Sequence, residues 1–320
     1  MVSLEEIKQA RERIRKLANR TYLDHSATFS KIAGNQVYLK PENLQKTGAF
    51  KLRGAANCVL QLDREKVKGG VITSSSGNHG QAVAYAAAQA GFPAVVVLPG
   101  FASPAKAAAI KGYGAEIVYG DDLSTVRAQQ TKEIAQERGM VFIHPFDDPR
   151  VIAGQGTIGL EIIEDLPDVD VVVAQIGGGG LLSGIAAAVK EQRPQTKVFG
   201  VEPVGGRSMY ISRQAGRRTE LKDINTIADG LKTNIPGELT FAMVERYVDD
   251  IFLVTDEEIK ATAVTLLERA KLLAEPSGAT ALAAVLTGKL PVKDQKVAVV
   301  ISGGNVNLPL MAELITEIRE

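Results

Sequence analysis

The chain has no surplus of either charge: Lys+Arg and Asp+Glu both number 37 in 320 residues, so the formal net charge is zero. Composition forces no basic face, which argues against nucleic acid as the main partner. There is a single cysteine, Cys58. One thiol excludes an intrachain disulfide and any multi-cysteine metal site, and it fits a reducing compartment. Cys58 reads as a small buried hydrophobe. No apolar run approaches the ~20 residues of a membrane span, and the charged, helical N-terminus shows no signal segment. A cytoplasmic protein with no membrane contact is the expectation. Internal repeats and low-complexity tracts are also missing. What is there is a globular composition, 45% hydrophobic and 23% charged, long enough for two domains or one large one.

Ser3-Leu4-Glu5-Glu6 is a capping box, and the helical spacing after it predicts a helix to about Ala18. Tyr22–Ser26 reads as a loop and Gln36–Lys40 as a strand. From Gly69 the rhythm becomes strand, glycine or proline turn, helix. Strands are expected at Val71–Thr73, Ala94–Leu98, Glu116–Tyr119 and Val141–His144, and helices at Gln81–Ala90, Ser103–Lys111 and Ser124–Arg138. After Pro145 come a helix at Ile152–Ile163, a strand at Val169–Ile176 and a helix at Leu181–Val189. Strands at Lys197–Val201, Ile251–Val254 and Lys296–Ile301 follow, with a helix from Thr255 to about Leu273, another opened by Pro276 and a last one at the C-terminus. Short, wholly apolar strands separated by helices indicate parallel sheets covered on both faces.

Chemistry is concentrated in a few stretches. In Thr47–Ala55, Lys51 follows Phe50 between two glycines. A lysine becomes a nucleophile when its ammonium is desolvated or near other positive charge; Phe50 offers apolar cover, and Lys46 and Arg53 the charge. Ser74–Gly80 joins a strand to a helix, where serines and first-turn amides suit a carboxylate or phosphate. The run Gly177-Gly178-Gly179-Gly180-Leu181 occupies a second such junction. A tight turn explains one glycine, whereas four suggest bare amides approaching a phosphate. Ser302-Gly303-Gly304-Asn305 follows the last strand, and Glu275 stands just before the Pro276 helix. A dinucleotide site is the rival for the glycine run, with Glu202 as the ribose acid about twenty residues on. G-x-G-x-x-G is not met, however, since Leu182 or Ser183 holds the last glycine position.

Taken together, these stretches resemble the fold-type II pyridoxal-phosphate enzymes, in the threonine dehydratase and serine racemase branch, over essentially the whole chain. The resemblance implies an α/β fold of two three-layer domains with mostly parallel sheets, like the tryptophan synthase β chain. Residues 1–50 with 147–320 would form the large domain and 51–146 the small one. It implies that Lys51 carries the cofactor pyridoxal 5'-phosphate as a Schiff base, with Phe50 near the ring and Asn78 on the ring hydroxyl. Gly177, Gly178, Gly179, Gly180 and Leu181 would hold the phosphate, Ser302 would face the ring nitrogen, and Glu275 would border the cofactor. Ser75, Asn78 and His79 would take the substrate carboxylate.

The implied activity is β-elimination of L-threonine or L-serine to a 2-oxo acid and ammonia, with Lys51 as the base at Cα. A neutral serine at the ring nitrogen favours prompt loss of the β-substituent. Leu52-Arg53-Gly54 after the lysine departs from the Asp-Arg pair of cysteine synthases, and no regulatory domain is expected after Asn305. Ser76 matches the racemase branch, where this serine reprotonates Cα from the opposite face. Serine racemase and 3-hydroxyaspartate ammonia-lyase are therefore the alternatives, and Arg150 or Arg207 is a candidate for a distal carboxylate. A non-catalytic nucleotide or amino-acid sensor is the alternative of another class, against which Lys51 and Asn78 both stand. The family's divalent-metal position would fall on Glu202, Gly206 and Ser208, one charged ligand short, so no metal is expected. The partners expected are a small hydroxy amino acid and further copies of the chain, as a homodimer or homotetramer.

Overall fold

The computed structural model describes residues 1–75, 77–100, 104–121 and 124–319. Among the described residues ten strands form two sheets: β1 (Asp24–His25), β2 (Gln36–Pro41), β3 (Val71–Ser74), β4 (Ala94–Pro99), β5 (Glu116–Gly120), β6 (Val141–Phe142), β7 (Val171–Gln175), β8 (Lys197–Pro203), β9 (Asp250–Val254) and β10 (Lys296–Ile301). The larger sheet runs β1-β2-β10-β7-β8-β9 and the smaller β5-β4-β3-β6. Every pairing is parallel except β1 with β2.

The central strands β4, β7 and β10 are buried on both faces, which is why they read as unbroken apolar runs, whereas edge strand β5 leaves Tyr119 exposed. Along β7, Val172 and Ala174 join one core with the Pro149–Asp165 and Gly180–Gln192 helices. Val171 and Val173 join another with the Pro276–Leu286 helix. The smaller sheet packs mainly on the Lys51–Val59 and Asn78–Ala90 helices, with Ile72, Val95 and Val97 facing the opposite side. The expected α/β class with parallel, three-layer organisation is the one observed.

Local departures have local causes. The first helix ends at Ile14, not Ala18, because Asn19 is held by Gln45, whose side chain bonds both its N–H and its carbonyl. The supposed loop at Tyr22–Ser26 contains β1, and Ser26 caps a seven-residue helix, Ala27–Ala33. That helix buries only Phe29, so it leaves no periodic signal. The helix after Thr255 is α-helical only to Thr265; a π turn at Leu266–Ala270 follows and stops at Lys271, whose φ is 59°. Helices at Ser208–Ala215 and Glu238–Tyr247 lie between β8 and β9, where no element is predicted from the sequence. Strand β6 stops at Phe142 rather than His144, because His144 Nδ1 accepts the amides of Phe146 (3.2 Å) and Asp147 (2.7 Å) and turns the chain.

Candidate active site

The loops leaving the carboxyl ends of β3, β6, β7 and β10 converge, as ligand-binding loops do in open parallel sheets. Lys51 enters this group from the start of its helix. The preceding turn is stitched to the end of β10: Ala49 bridges Gly303, and the Phe50 amide donates to the Ser302 carbonyl at 3.0 Å. Lys51 Nζ donates to the Pro145 carbonyl at 2.7 Å and lies 5.1 Å from the centroid of the Phe50 ring. Burial pushes its pKa down from 10.5 to about 8, with the Glu275 charge pulling the other way. About a tenth of the amine is therefore free at pH 7 and about half at pH 8, far more than for an ordinary lysine.

The charges expected to depress Lys51 do something else. Lys46 is exposed and donates to the Lys16 carbonyl at 3.2 Å. Arg53 points beneath the helix into a buried cluster. It binds Glu42 at 2.8 and 2.7 Å, Glu161 at 2.6 and 2.9 Å, and Thr157 at 3.1 Å. Lys40 pairs with Glu161 at 2.7 Å, and Thr21 donates to Glu42 at 2.6 Å. Burial alone would push the Glu42 carboxyl up, but the Arg53 charge and its hydrogen bonds outweigh that and hold it below its usual range. The cluster anchors the helix that presents Lys51. Desolvation, not a neighbouring cation, tunes the amine.

The glycine run connects β7 to its helix, which starts at Gly180 and leaves its first amides without helical partners. Only Gly179 has a backbone conformation that disfavours side chains, with φ +94°. A Cβ on Gly178 would meet the Phe146 ring at 2.3 Å, and one on Gly180 the Phe146 carbonyl at 2.9 Å. The run is bare partly so that Phe146 can lie against it. Thr240 Oγ1 donates to the Gly178 carbonyl at 2.7 Å. Asp147 in turn accepts the amides of Glu238, Leu239 and Thr240 at 2.9, 3.0 and 3.1 Å. Phe146, Asp147 and Thr240 escaped the sequence reading. The signal available for the first two was their place just past a parallel strand.

Asn78 opens the helix after β3. Its Nδ2 donates to Glu275 Oε1 at 2.6 Å, and its Oδ1 accepts from Asn305 Nδ2 at 2.7 Å. Gly303 lies against this pair: a Cβ there would come within 2.5 Å of Glu275 Oε1 and 3.1 Å of Asn78 Nδ2. Ser302, almost fully buried, is the adjoining residue. Ser75 Oγ accepts the Gly77 amide at 3.3 Å. Ser76 lies outside the described residues. His79 is buried with Nε2 3.1 Å from the Ile143 carbonyl, which can only accept, so Nε2 bears the proton. Nδ1 then carries a lone pair, buried and unpartnered. Burial, then the nearby Lys51 charge, pushes the His79 pKa down to about 3. A neutral ring of this tautomer repels a carboxylate, leaving only the His79 backbone amide for the role expected of it.

Glu202 is fully buried and accepts the amides of Met209 (3.0 Å) and Tyr210 (2.8 Å) at the start of their helix. Burial raises its pKa to about 8. It is turned into the protein, where it cannot reach a ribose, and the dinucleotide reading loses its acid. Arg150 is paired with Asp148 at 2.6 Å, and Arg207 bonds the Val204 carbonyl. Cys58 is fully buried, and its thiol is pushed up to about 12 by that burial, as suits a hydrophobe. Among the described residues no group of three His, Cys, Asp or Glu side chains is arranged to hold a metal ion, and no helix is long and apolar enough to cross a membrane.

A desolvated lysine amine, a glycine-lined helix start and a clamped asparagine amide at the ends of parallel strands define a class of enzyme. The chain belongs to the pyridoxal-phosphate dependent enzymes, whose family model matches residues 14–303. It is 45% identical to an L-threonine ammonia-lyase of Thermotoga maritima over 317 residues, 99% of this chain and 79% of that one. It is 42% identical to a serine racemase of Dictyostelium discoideum, covering 98% of each. Among solved structures, maize serine racemase superposes with a TM-score of 0.94 at 37% identity, covering 99% of this chain and 97% of that one. The cofactor is pyridoxal phosphate, and the site suits it: a free amine for the aldehyde, bare amides at a helix start for the phosphate, and a fixed amide edge between them.

Proposed function

We propose that the protein is an L-threonine/L-serine ammonia-lyase acting by β-elimination. The observation that carries the reading is the Lys51 amine, brought to a pKa of about 8 by burial among the loops just described. When bound, pyridoxal phosphate supplies an electron sink for the charge left at the substrate Cα. Lys51 would hold the cofactor through Nζ, and its free amine is placed to take the Cα proton. The free first-turn amides of Asn78 and His79, with Ser75, orient the substrate carboxylate. Gly177–Gly180 and Leu181 would hold the phosphate, Asn78 the ring oxygen and Ser302 the ring nitrogen, while Phe50 covers the lysine. Glu275 acts through its bond to Asn78 and its charge beside Lys51. Loss of the β-hydroxyl and hydrolysis yield 2-oxobutyrate or pyruvate and ammonia.

The same reading divides the chain into a large domain, 1–50 with 147–320, and a small one, 51–146. The two sheets support that division. It also takes the enzyme to be a cytoplasmic homodimer or homotetramer. The test is to incubate the purified protein with L-threonine and L-serine and follow 2-oxo acid release. A protein that is colourless, cannot be reconstituted and releases none would sink it. Serine racemisation is the second reading, favoured by relatives of that name at 42% and 40% identity. It rests on Ser76 as the second base, and Ser76→Ala would then abolish inversion while sparing elimination from L-substrates.

A further inference from the structure

Asn305 takes no part in the roles above, yet with Glu275 it holds the Asn78 amide in one orientation. Its Nδ2 makes two hydrogen bonds, to the Thr47 carbonyl at 2.8 Å and to Asn78 Oδ1 at 2.7 Å. A backbone carbonyl can only accept. The Asn305 atom facing Thr47 is therefore the NH2 group, and the Asn78 atom facing that same NH2 group is the amide oxygen. From the other end, Glu275 as a carboxylate can also only accept, so the Asn78 atom 2.6 Å away is Nδ2. Two obligate acceptors at opposite ends of the chain Thr47–Asn305–Asn78–Glu275 thus fix both amides independently, and they agree.

The seat for this chain is shaped by glycines. Gly48 has φ +72°, and a Cβ there would lie 2.3 Å from Asn305 Oδ1. Gly303 clears the space over Glu275 Oε1 and Asn78 Nδ2. The Asn305 backbone belongs to the segment after β10 and Asn78 to the helix after β3, so the clamp joins the two sheets.

We propose that Asn305 is a positioning residue that fixes the edge of the Asn78 amide presented to the cofactor, holding Oδ1 away and leaving an Nδ2 hydrogen to meet an anionic ring oxygen. This rests on the ring-oxygen role given to Asn78 above. A donor favours the ionised oxygen, whereas an amide carbonyl in its place repels it. Asn305→Asp is nearly isosteric but has no hydrogen to give Asn78 Oδ1. It can only accept, so it sets an acceptor against Asn78 Oδ1 and competes with Glu275 for the Nδ2 hydrogens, which pulls the amide out of the orientation that serves the ring oxygen.

The experiment is a cofactor titration of the apo-protein, read by absorbance across pH, for wild type, Asn305→Asp, Asn305→Ala, Asn78→Ala and the double variant Asn78→Ala/Asn305→Asp. Asn305→Asp is expected to weaken cofactor binding by about tenfold or more and to change the pH at which the bound cofactor's spectrum turns over. Asn305→Ala, which removes the clamp without adding a charge, moves both in the same direction by less and guards against misfolding of the aspartate variant. The double variant should bind no more weakly than Asn78→Ala alone, because Asn305 acts through that amide. Wild-type affinity and spectrum in both Asn305 variants would overturn the inference, as would fully additive losses in the double variant. A wild-type protein that binds no pyridoxal phosphate would overturn the functional reading itself, and this inference with it.

Discussion

Asp147 Oδ1 accepts the backbone amide of Thr240 at 3.1 Å, and the Thr240 hydroxyl donates to the Gly178 carbonyl at 2.7 Å. One carboxylate at the end of the smaller sheet's last loop thereby sets both the start of the Glu238–Tyr247 helix and the shape of the glycine run. Asp147→Ala removes the acceptor of three amides, and loss of such a cap costs ~1–2 kcal/mol. The expected result is weaker cofactor binding, by about tenfold, with Asp147→Asn retaining most of it because its amide oxygen still accepts. Fluorescence titration with pyridoxal phosphate reads this. A fall in melting temperature at unchanged affinity would refute the link between cap and cradle.

Gly178→Ala places a methyl group 2.3 Å from the Phe146 ring. Overpacking of this kind costs ~1–3 kcal/mol and here also displaces the loop. Cofactor affinity should fall, and Phe146→Leu in the same chain should restore part of it by yielding space. If the second change restores nothing, the small size of Gly178 serves the ligand rather than Phe146.

Lys51 binds fewer protons folded than unfolded between its depressed pKa of about 8 and the ordinary 10.5. Stability of the apo-protein from this group therefore rises with pH across that window, by up to ~3 kcal/mol before screening at the open side of the site. Lys51→Met removes the group. Its stability advantage over wild type in urea should be large at pH 7.5 and shrink by pH 10. An advantage that is constant with pH would show that the amine is not desolvated. The same variant should release no 2-oxo acid and gain no mass after borohydride treatment.

Glu275→Gln separates charge from hydrogen bonding, since the new amide oxygen can still accept from Asn78. The Glu275 charge holds the Lys51 pKa up. Its removal should lower that pKa below about 8 and move the acid limb of the pH–rate profile to lower pH. A shift to higher pH would contradict the assigned sign.

The central strands were legible because both their faces are buried, and β10 matches its sequence boundaries at Lys296–Ile301. The five stretches singled out do converge in space, as their positions after strands suggested. What stayed hidden depends on contacts distant in sequence. Nothing near Arg53 announces Glu161, 108 residues away, and nothing near Asn305 announces Asn78, 227 residues away. The tautomer of His79 is equally invisible, because it is fixed by the Ile143 carbonyl. Arg53 was misread for the same reason: its closeness to Lys51 in sequence says nothing of the side of the helix it faces.

The buried cluster of Lys40, Glu42, Arg53 and Glu161 also bears on how the chain can vary between species. Two cations and two anions balance one another away from water. Removing one member of such a set strands a buried charge and costs ~3–5 kcal/mol, whereas replacing the set by apolar groups of similar volume is often neutral. Single steps away from the cluster cross a valley of unstable proteins, although the far side is level ground. The four positions should therefore change together or not at all, and the helix bearing Lys51 should keep its seat through lineages whose surfaces have drifted apart.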